Sequence, residues 1–420
     1  MEDSFDVLVV GGGFGGVCAA AAAARTGAKT LLLERYGFLG GMATAGLVNP
    51  FMTYFAGGKQ IIEGIFSEVL EGLGQRSGLG ERGRIFDEEL LKLVLDELVL
   101  SSGAEIRFHS YLSGVEKKKR LIKSAEFQGK SGAEKFEAQI FVDATGDGDL
   151  AALVGCPYEK GRKEDGLAQA MTLCFRVAGV DMDKVPGEAW KEKREFISRK
   201  FVEAKKRGEI TNPRHNVLFF RTLRKDVIHF NTTRIVRRDA TSASDLTCAE
   251  IEGRRQVEEM VRFLKKEIPG FENSFLEKMA MQIGVRESRR IMGEYVMTEE
   301  DIVEARKFKD AIARGSYPID IHSPTGEGTV IKRLPPGESY DIPYRSLVPK
   351  EVDNLLIASR CISATHEAHG AIRVMPIVAA IGQAAGTAAA LSIQEKTIPR
   401  KLDATKLRKK LVQDGANLGE

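Results

Sequence analysis

Two different spacings of apolar residues alternate along the chain and predict a mixed α/β fold. Residues 5–10 (FDVLVV) form a short apolar run that is typical of a strand buried on both faces. A glycine cluster and the alanine-rich segment 17–25 follow, and a second apolar run occupies residues 29–33. This order of strand, tight loop, helix and strand predicts one compact βαβ unit over residues 5–34.

The alternation continues beyond this unit. Residues 86–100 carry apolar side chains at helical spacing and predict a crossover helix, whereas residues 105–142 break into short runs typical of a further strand and a β-meander. Helical and β-like patterns are mixed between residue 142 and residues 354–358, where a parallel-strand pattern returns. We therefore predict an α/β protein in three segments: a Rossmann-type domain formed by residues 1–154 and 351–420, and an inserted α+β substrate or cap domain over residues 155–350.

The loop after the first strand has the glycine spacing of a dinucleotide-binding turn. Gly11 permits a tight turn, Gly13 leaves room for a pyrophosphate, and Gly16 lets the helix pack against the strand. The free N–H groups at the helix start favour a bound phosphate, and Glu34 at the end of the second strand is placed to accept hydrogen bonds from a ribose. A glycine-rich turn in an ordinary βαβ unit is the alternative, but the full context of strand, helix and acid favours dinucleotide binding.

Three further segments favour FAD over NAD. Small residues in FLGGMATAG (38–46) allow close approach to an extended cofactor, and ATGDGD (144–149) does the same after a strand. Segment 359–386 places a helix start at the carboxyl end of another strand, where its N–H groups can stabilise the negative charge of a reduced flavin. A second GxGxxG motif after a strand, as a separate NAD domain would need, is not found in the sequence.

With these motifs the sequence resembles the FAD-dependent oxidoreductases that have a glutathione-reductase-type FAD domain, in the subgroup marked by GGMATAG, DATGDGDLA and CISATHEAHGAIRVMP. Segments PPGESYDIPYRSLVP (335–349) and GVRESRRIMGEY (284–295) extend the resemblance over nearly the whole chain. It implies FAD contacts along the ADP and ribityl parts and, near Arg373, at the isoalloxazine. The predicted FAD contacts are Gly11, Gly13, Phe14, Gly15, Gly16, Glu34, Arg35, Gly40, Gly41, Met42, Ala43, Thr44, Ala144, Thr145, Gly146, Asp149, Arg360, Arg373, Met375 and Ile377.

Candidate catalytic residues lie in two segments. His366 and His369 are predicted in a loop before the flavin-facing helix, where they can donate a proton or orient a substrate carbonyl; a histidine that only holds the loop is the alternative. Their spacing is not that of HExxH, so no metal site is predicted. Arg286 would share a helical face with Arg289 and Arg290 and clamp an anionic substrate, with salt bridges inside the protein as the alternative, and Arg373 would neutralise the reduced flavin.

Charge and composition limit the kinds of binding partner that we expect for this protein. The 420 residues include 62 basic and 59 acidic side chains, so a net charge of +3 gives no broad field for nucleic acid or a membrane surface. The five cysteines are scattered singly, as in a reducing compartment. The opening MEDSFDVLVV lacks the pattern of a signal peptide, and we expect a cytoplasmic protein.

The sequence therefore predicts an FAD-dependent oxidoreductase that acts on a small metabolite, with an anionic one as a candidate. Two alternatives stay open. One is a flavin-dependent enzyme without net redox change or acting on tRNA, and the other is a non-catalytic FAD-binding protein. The chemistry of hydride transfer belongs to the flavin, so the protein has to position the substrate and supply protons.

Overall fold

A mainly parallel sheet forms the centre of the molecule, and its strands come from both ends of the chain. The computed structural model describes residues 4–326 and 328–419, so the acidic residues that open the chain lie outside it. The strands are β1 (Ser4–Val10), β2 (Thr30–Leu33), β3 (Phe55–Ala56), β4 (Lys59–Gln60), β5 (Glu105–Arg107), β6 (Tyr111–Lys118), β7 (Leu121–Gly129), β8 (Gly132–Asp143), β9 (Tyr158–Lys160), β10 (Phe175–Ala178), β11 (Phe219–Arg221), β12 (Ile228–Phe230), β13 (Phe275–Met279), β14 (Arg289–Ile291), β15 (Ala311–Gly315), β16 (Ile319–His322), β17 (Thr329–Lys332), β18 (Tyr340–Pro343) and β19 (Leu355–Ile357).

Helices cover this sheet and build the second part of the molecule. They are α1 (Phe14–Arg25), α2 (Ile65–Gln75), α3 (Glu88–Ser101), α4 (Asp149–Leu153), α5 (Trp190–Lys206), α6 (Ala243–Glu267), α7 (Glu299–Val303), α8 (His366–Ile372), α9 (Met375–Gln394) and α10 (Ala404–Gln413). The crossover helix expected over residues 86–100 is α3, and Asp87 caps it by accepting from the N–H groups of Glu89 and Leu90.

The strand order of the central sheet is β5-β2-β1-β8-β7-β6, with β19 paired to β8. Strands β5, β2, β1, β8 and β19 pair in parallel, whereas β6, β7 and the first half of β8 form the predicted antiparallel meander. Both faces of β1 are buried, which explains its continuous apolar run. The α/β fold with a Rossmann-type parallel sheet is thus confirmed, and its strands present their carboxyl ends at one edge.

A second hydrophobic core surrounds the antiparallel sheet β11-β12-β10-β13 and helices α5 and α6. Apart from Leu47, its buried residues come from the segment between Met171 and Val285. Buried residues from Ile291 onwards pack into the first core together with the parallel sheet. The division of the chain at residues 155 and 350 stays a prediction, because the packing assigns only the earlier part of that insert to a core of its own.

The segment around Arg286 is extended, which corrects the helical spacing assumed for its three arginines. Arg289 and Arg290 lie in β14, which pairs antiparallel with β9. Their side chains therefore point in opposite directions, towards Asp149 for Arg289 and towards the buried carboxylate of Glu287 for Arg290. The i, i+3 and i+4 spacing of the arginines suggested a helix. The backbone of this segment instead forms hydrogen bonds with a neighbouring strand, and the spacing of three arginines gives no information about that pairing.

Helix α9 packs directly on α1 along a seam of small residues. A Cβ atom added to Gly382 or Gly386 would overlap the carbonyl oxygens of Gly15 and Ala19 respectively, so the two helix backbones approach as closely as backbones can. The helix α9 is apolar and long enough to cross a membrane, yet 83% of its most apolar window is buried inside the protein. The close contact fixes how the C-terminal helix sits on the nucleotide-binding unit.

We expect Gly386→Ala to destabilise the protein by about 1–3 kcal/mol, because the added methyl group forces the two helices apart. The matched control is Gly74→Ala in α2, where a Cβ meets nothing within 4 Å and the change should be neutral or stabilising by up to ~1 kcal/mol. Urea unfolding followed by circular dichroism measures both changes. Equal midpoints for the two variants would show that the seam does not hold α9 on α1.

Candidate functional site

A cavity of about 450 Å³ runs along the carboxyl edge of the parallel sheet and continues beneath the second core. Its volume lies within the range of roughly 300–1,000 Å³ that is typical of small-molecule sites. One part of its wall comes from the loop after β1, the end of β2, segment 40–42 and the loop after β8. The other part comes from segments between Thr172 and Ile331, so the cavity joins the two cores.

The loop after β1 leads into a helix start that faces this cavity. Gly11 has a φ of +102°, a left-handed conformation that favours glycine, and it turns the chain from β1 into α1. Gly13 caps α1 without any side-chain hydrogen bond, and a Cβ placed there would meet only Gly41 Cα at 4.0 Å. The first turn of α1 therefore offers free donors and the positive end of its dipole to an anion. Gly16 lies inside the contact with the β1 loop rather than on the cavity wall.

Glu34 stands at the end of β2 with its carboxylate held by two backbone N–H groups. Its Oε2 accepts from Gly12 N at 2.6 Å, and its Oε1 accepts from Tyr36 N at 2.9 Å. Burial raises the pKa of this carboxyl, while the two N–H groups oppose the rise. Each oxygen keeps a further acceptor position, so the carboxylate fits the predicted role of a ribose ligand.

The next two residues close this end of the cavity with help from a distant segment. Arg35 Nη2 donates to Gln282 Oε1 at 2.7 Å, and Tyr36 Oη contacts the same oxygen. Gln282 follows β13, which belongs to the second core. Tyr36 and Gln282 line the cavity but have no sequence motif, so sequence reasoning could not have placed them at the site.

The loop after β8 is organised by a buried carboxylate. Asp143 accepts from Thr145 N at 3.0 Å, Thr145 Oγ1 at 2.7 Å and Ala151 N at 2.9 Å. Burial raises the pKa of Asp143 to about 6 despite these hydrogen bonds. The loop residues that reach the cavity wall are Ala144, Thr145, Gly146 and Asp147.

Asp149 is not among the residues that line the cavity, so its contact with FAD stays a prediction. Its Oδ1 accepts from Arg289 Nη1 at 2.8 Å, so the carboxylate is held at the start of α4. Asp147 faces the cavity instead and accepts from Arg360 Nη2 at 2.5 Å. From the sequence ATGDGD alone, either Asp147 or Asp149 could face the cavity. The ion pair between Asp149 and Arg289, a residue distant in sequence, distinguishes the two.

The start of α9 contributes the second helix N-terminus of the cavity. Val374 caps α9 without a side-chain hydrogen bond, and Val374, Met375 and Val378 line the wall. The side chain of Arg373 lies beside them, with its Nη2 donating to Asp320 O at 3.2 Å and its buried Nε without a partner among the described residues. The predicted convergence of both chain ends on one groove is present in the structure.

The remaining predicted FAD contacts divide into two groups. Ala43, Thr44 and Ile377 are buried but lie outside the cavity wall, and Thr44 Oγ1 donates to Leu39 O at 2.7 Å. The predicted residues that line the wall are Gly11, Gly13, Phe14, Gly15, Glu34, Arg35, Gly40, Gly41, Met42, Ala144, Thr145, Gly146, Arg360, Arg373 and Met375. Contact with FAD stays a prediction for each of them.

The two candidate histidines lie in helix α8, not in a loop, and neither lines the cavity. Thr365 caps this helix by accepting from Ala368 N, so HEAHGAI begins a helix that the sequence pattern did not reveal. His366 Nδ1 lies 2.9 Å from the buried carboxylate of Glu287, as the structural alternative requires. Burial and the nearby Arg290 charge hold the pKa of His369 well below its usual value, which keeps it neutral.

The far part of the cavity is strongly cationic. Arg214 donates to Asn216 Oδ1 at 3.1 and 3.2 Å and to Asn231 O at 2.9 Å. Arg286 donates to Ala170 O at 2.6 Å, Thr172 Oγ1 at 2.7 Å and, more weakly, Asn231 Oδ1 at 3.3 Å.

These two arginines have no carboxylate partner within the described part of the chain, although both line the cavity. Burial, together with the charge of Arg234, lowers the pKa of Arg214 to about 10. Burial and the charges of Arg373 and Arg214 lower the pKa of Arg286 to about 9. Both guanidinium groups are nevertheless cations at neutral pH, held in an environment that disfavours their charge.

A family model described as FAD dependent oxidoreductase matches residues 6–411. The chain belongs to this family. FAD is therefore its cofactor, as the sequence motifs predicted. The residues present fit this group, because two uncapped helix starts, a buried acid and an arginine meet on one elongated cavity.

Two solved structures resemble this FAD-dependent oxidoreductase at low sequence identity. The geranylgeranyl bacteriochlorophyll reductase-like protein of Thermoplasma acidophilum gives a TM-score of 0.49 at 14% identity over 99% of this chain and 85% of that chain. The p-nitrophenol 4-monooxygenase of Pseudomonas putida DLL-E4 gives a TM-score of 0.49 at 12% identity over 100% of this chain and 88% of that chain. Likenesses this distant do not indicate a substrate.

We expect Glu34→Gln to weaken FAD binding about tenfold to a hundredfold, because an amide presents one acceptor oxygen where the carboxylate presents two charged ones. Equilibrium dialysis of FAD against the apoprotein measures the loss. Asp149→Asn is the control, since its carboxylate pairs with Arg289 outside the cavity wall and its removal should change the affinity little. Comparable loss in both variants would contradict the placement of Asp149.

Proposed function

We propose that this flavoprotein transfers electrons between FAD and a small metabolite that carries a carboxylate. The supporting observation is the pair of buried guanidinium groups of Arg214 and Arg286, which line the cavity and donate only to neutral acceptors among the described residues. Buried cations that donate to no carboxylate are costly, and an anionic ligand between them offsets that cost. Planar, forked donors also match the two oxygens of a carboxylate.

The residues of the chain have separate tasks in this proposal. FAD supplies the two-electron chemistry when it is bound. Arg214 and Arg286 bind and orient the anion, while Arg373 and the start of α9 place positive charge beside the cofactor site. Apolar wall residues such as Leu218 and Phe220 limit the access of water to the bound pair.

The proposal predicts that Arg286→Gln weakens the binding of small carboxylates about tenfold to a hundredfold, because a charged hydrogen-bond donor is replaced by a neutral one. Spectral titration of the FAD-loaded protein with a panel of two- to five-carbon carboxylates, and with their neutral amides, measures the change. The amides should bind equally to both proteins. Arg286→Lys, which keeps the charge but not the fork, should lose less affinity.

Arg345→Gln is the matched control for this experiment. Arg345 pairs with Asp310 outside the cavity wall, so its loss should leave carboxylate binding unchanged. An Arg286→Gln protein that binds the carboxylates as tightly as the parent protein would contradict the proposed anion site. Preferential binding of the amides by the parent protein would contradict it as well.

A second prediction concerns the flavin itself. We expect Arg373→Ala to lower the midpoint potential of bound FAD by about 30 mV or more, equivalent to ~1.4 kcal/mol for two electrons, because a charge that stabilises the anionic reduced state is removed. FAD should stay bound, since the groups predicted to hold its ADP half are intact. Potentiometric titration measures the shift, with Arg345→Ala as the control. An unchanged potential would place Arg373 away from the isoalloxazine.

A further inference from the structure

Three polar residues next to the arginines form a cluster that the proposed anion site does not use. Tyr317 precedes β16, and Asp320 and His322 lie on that strand. Alternation along the strand puts Asp320 and His322 on one face, while Ile319 and Ile321 are buried on the other. The three polar residues line the cavity.

The hydrogen bond between Tyr317 and Asp320 has a fixed direction. Tyr317 Oη lies 2.7 Å from Asp320 Oδ2. Burial alone would raise the pKa of the Asp320 carboxyl, but the hydrogen bond from His322 and the charge of Arg373 outweigh it and hold the pKa well below its usual range. Burial and the Asp320 charge raise the pKa of Tyr317 far above its usual value. A neutral phenol therefore donates its only hydrogen to an ionised carboxylate.

His322 is held as a neutral ring in one tautomer, which is compatible with the hydrogen bond between Tyr317 and Asp320. Its Nδ1 lies 3.1 Å from Arg234 Nη2, and a guanidinium can only donate, so Nδ1 accepts. Burial and the charge of Arg286 lower the pKa of His322 to about 3, so the ring is neutral and its hydrogen is on Nε2. That nitrogen lies 3.5 Å from Asp320 Oδ2, so its hydrogen is on the side of the ring nearest the carboxylate.

With its hydrogen committed to Asp320, the phenolic oxygen of Tyr317 keeps a free acceptor position at the cavity wall. The oxygens of Asn216, Asn231 and Thr172 that line the same part of the cavity each accept at least one hydrogen bond from Arg214 or Arg286, whereas Tyr317 Oη accepts none from the described residues. If a ligand bound to the arginines carries a hydrogen-bond donor, Tyr317 Oη is available to accept from it.

The surrounding charge selects the kind of donor. Four guanidinium groups lie near Asp320: those of Arg214, Arg234, Arg286 and Arg373. The charge of Asp320 acts to raise the pKa of the first three against the effect of burial, and the charge of Arg373 helps to lower the pKa of Asp320. An ammonium group entering this field is repelled by several cations and attracted by one carboxylate. A hydroxyl group donates a hydrogen without carrying that charge.

We propose that the substrate is a small hydroxy acid, whose carboxylate binds Arg214 and Arg286 and whose hydroxyl group donates to Tyr317 Oη. This inference rests on the proposed function and names its substrate class. Tyr317 then acts as a specificity-determining residue, and Asp320 and His322 are positioning residues that keep its oxygen an acceptor.

Ligand pairs that differ only in the hydroxyl group test this inference. Isothermal titration calorimetry of the FAD-loaded protein compares malate with succinate and lactate with propionate. In at least one pair, the parent protein should bind the hydroxy acid at least about tenfold more tightly than the acid without the hydroxyl group. The latter acid leaves Tyr317 Oη without a hydrogen-bond donor. Tyr317→Phe should abolish the preference and leave the affinity for succinate and propionate within about threefold.

Tyr295→Phe is the matched control, because Tyr295 Oη donates to Asp301 at 2.8 Å in a similar pair outside the cavity wall. The preference for the hydroxy acid should survive that change. Arg286→Gln should weaken both members of a pair to a similar extent, which separates the carboxylate site from the hydroxyl site.

Three results would overturn the inference. Equal binding of both members of each pair by the parent protein would do so, as would a preference that persists in Tyr317→Phe. Tighter binding of aspartate or alanine than of malate or lactate would show that the cavity selects an ammonium group. If carboxylates bind in an Arg286-dependent manner without hydroxyl preference, the hydroxy-acid inference fails alone. If no carboxylate binds, the proposed function fails with it.

Discussion

The structure depends on the contact between two helices from opposite ends of the chain. Helix α9 approaches α1 so closely that Gly382 and Gly386 have no room for a side chain against Gly15 and Ala19. This contact fixes the start of α9 beside the glycine loop at the start of α1. Two helix N-termini therefore open on the same cavity, where each provides unpaired N–H groups and positive potential.

A cofactor with a diphosphate at one end and a ring that becomes negatively charged at the other suits such a cavity. In the predicted arrangement, the start of α1 would offer donors to the diphosphate, and the start of α9 with Arg373 would offer positive charge to the ring. Few side chains are needed for these tasks, because the unpaired backbone N–H groups at the helix starts can perform them. This explains why small residues dominate both segments.

The second core adds what the nucleotide-binding part lacks. It contributes Arg214, Arg286 and Gln282 to the cavity, so the proposed anion site lies where the two cores meet. The Tyr317 and Asp320 pair comes from β16 and the residues just before it, which pack with the first core, and it places one carboxylate near these arginines. In the proposed function, recognition of the metabolite would be divided between the two parts, while the predicted cofactor groove belongs mainly to one.

The sequence by itself determined the parallel sheet, the glycine loop, Glu34 as the ribose candidate and the FAD family, because these follow from local spacing and from contacts within one βαβ unit. It did not reveal that the two histidines lie in a helix, nor that Asp149 pairs with Arg289, since these features depend on the cap of α8 and on a residue distant in sequence. The sequence offered Arg286 as an anion clamp, but only the tertiary structure placed Arg214 beside it on one cationic wall. Its arginines are distant from one another in the sequence and lie in segments with no common motif, and their partners become apparent only when the two cores pack together.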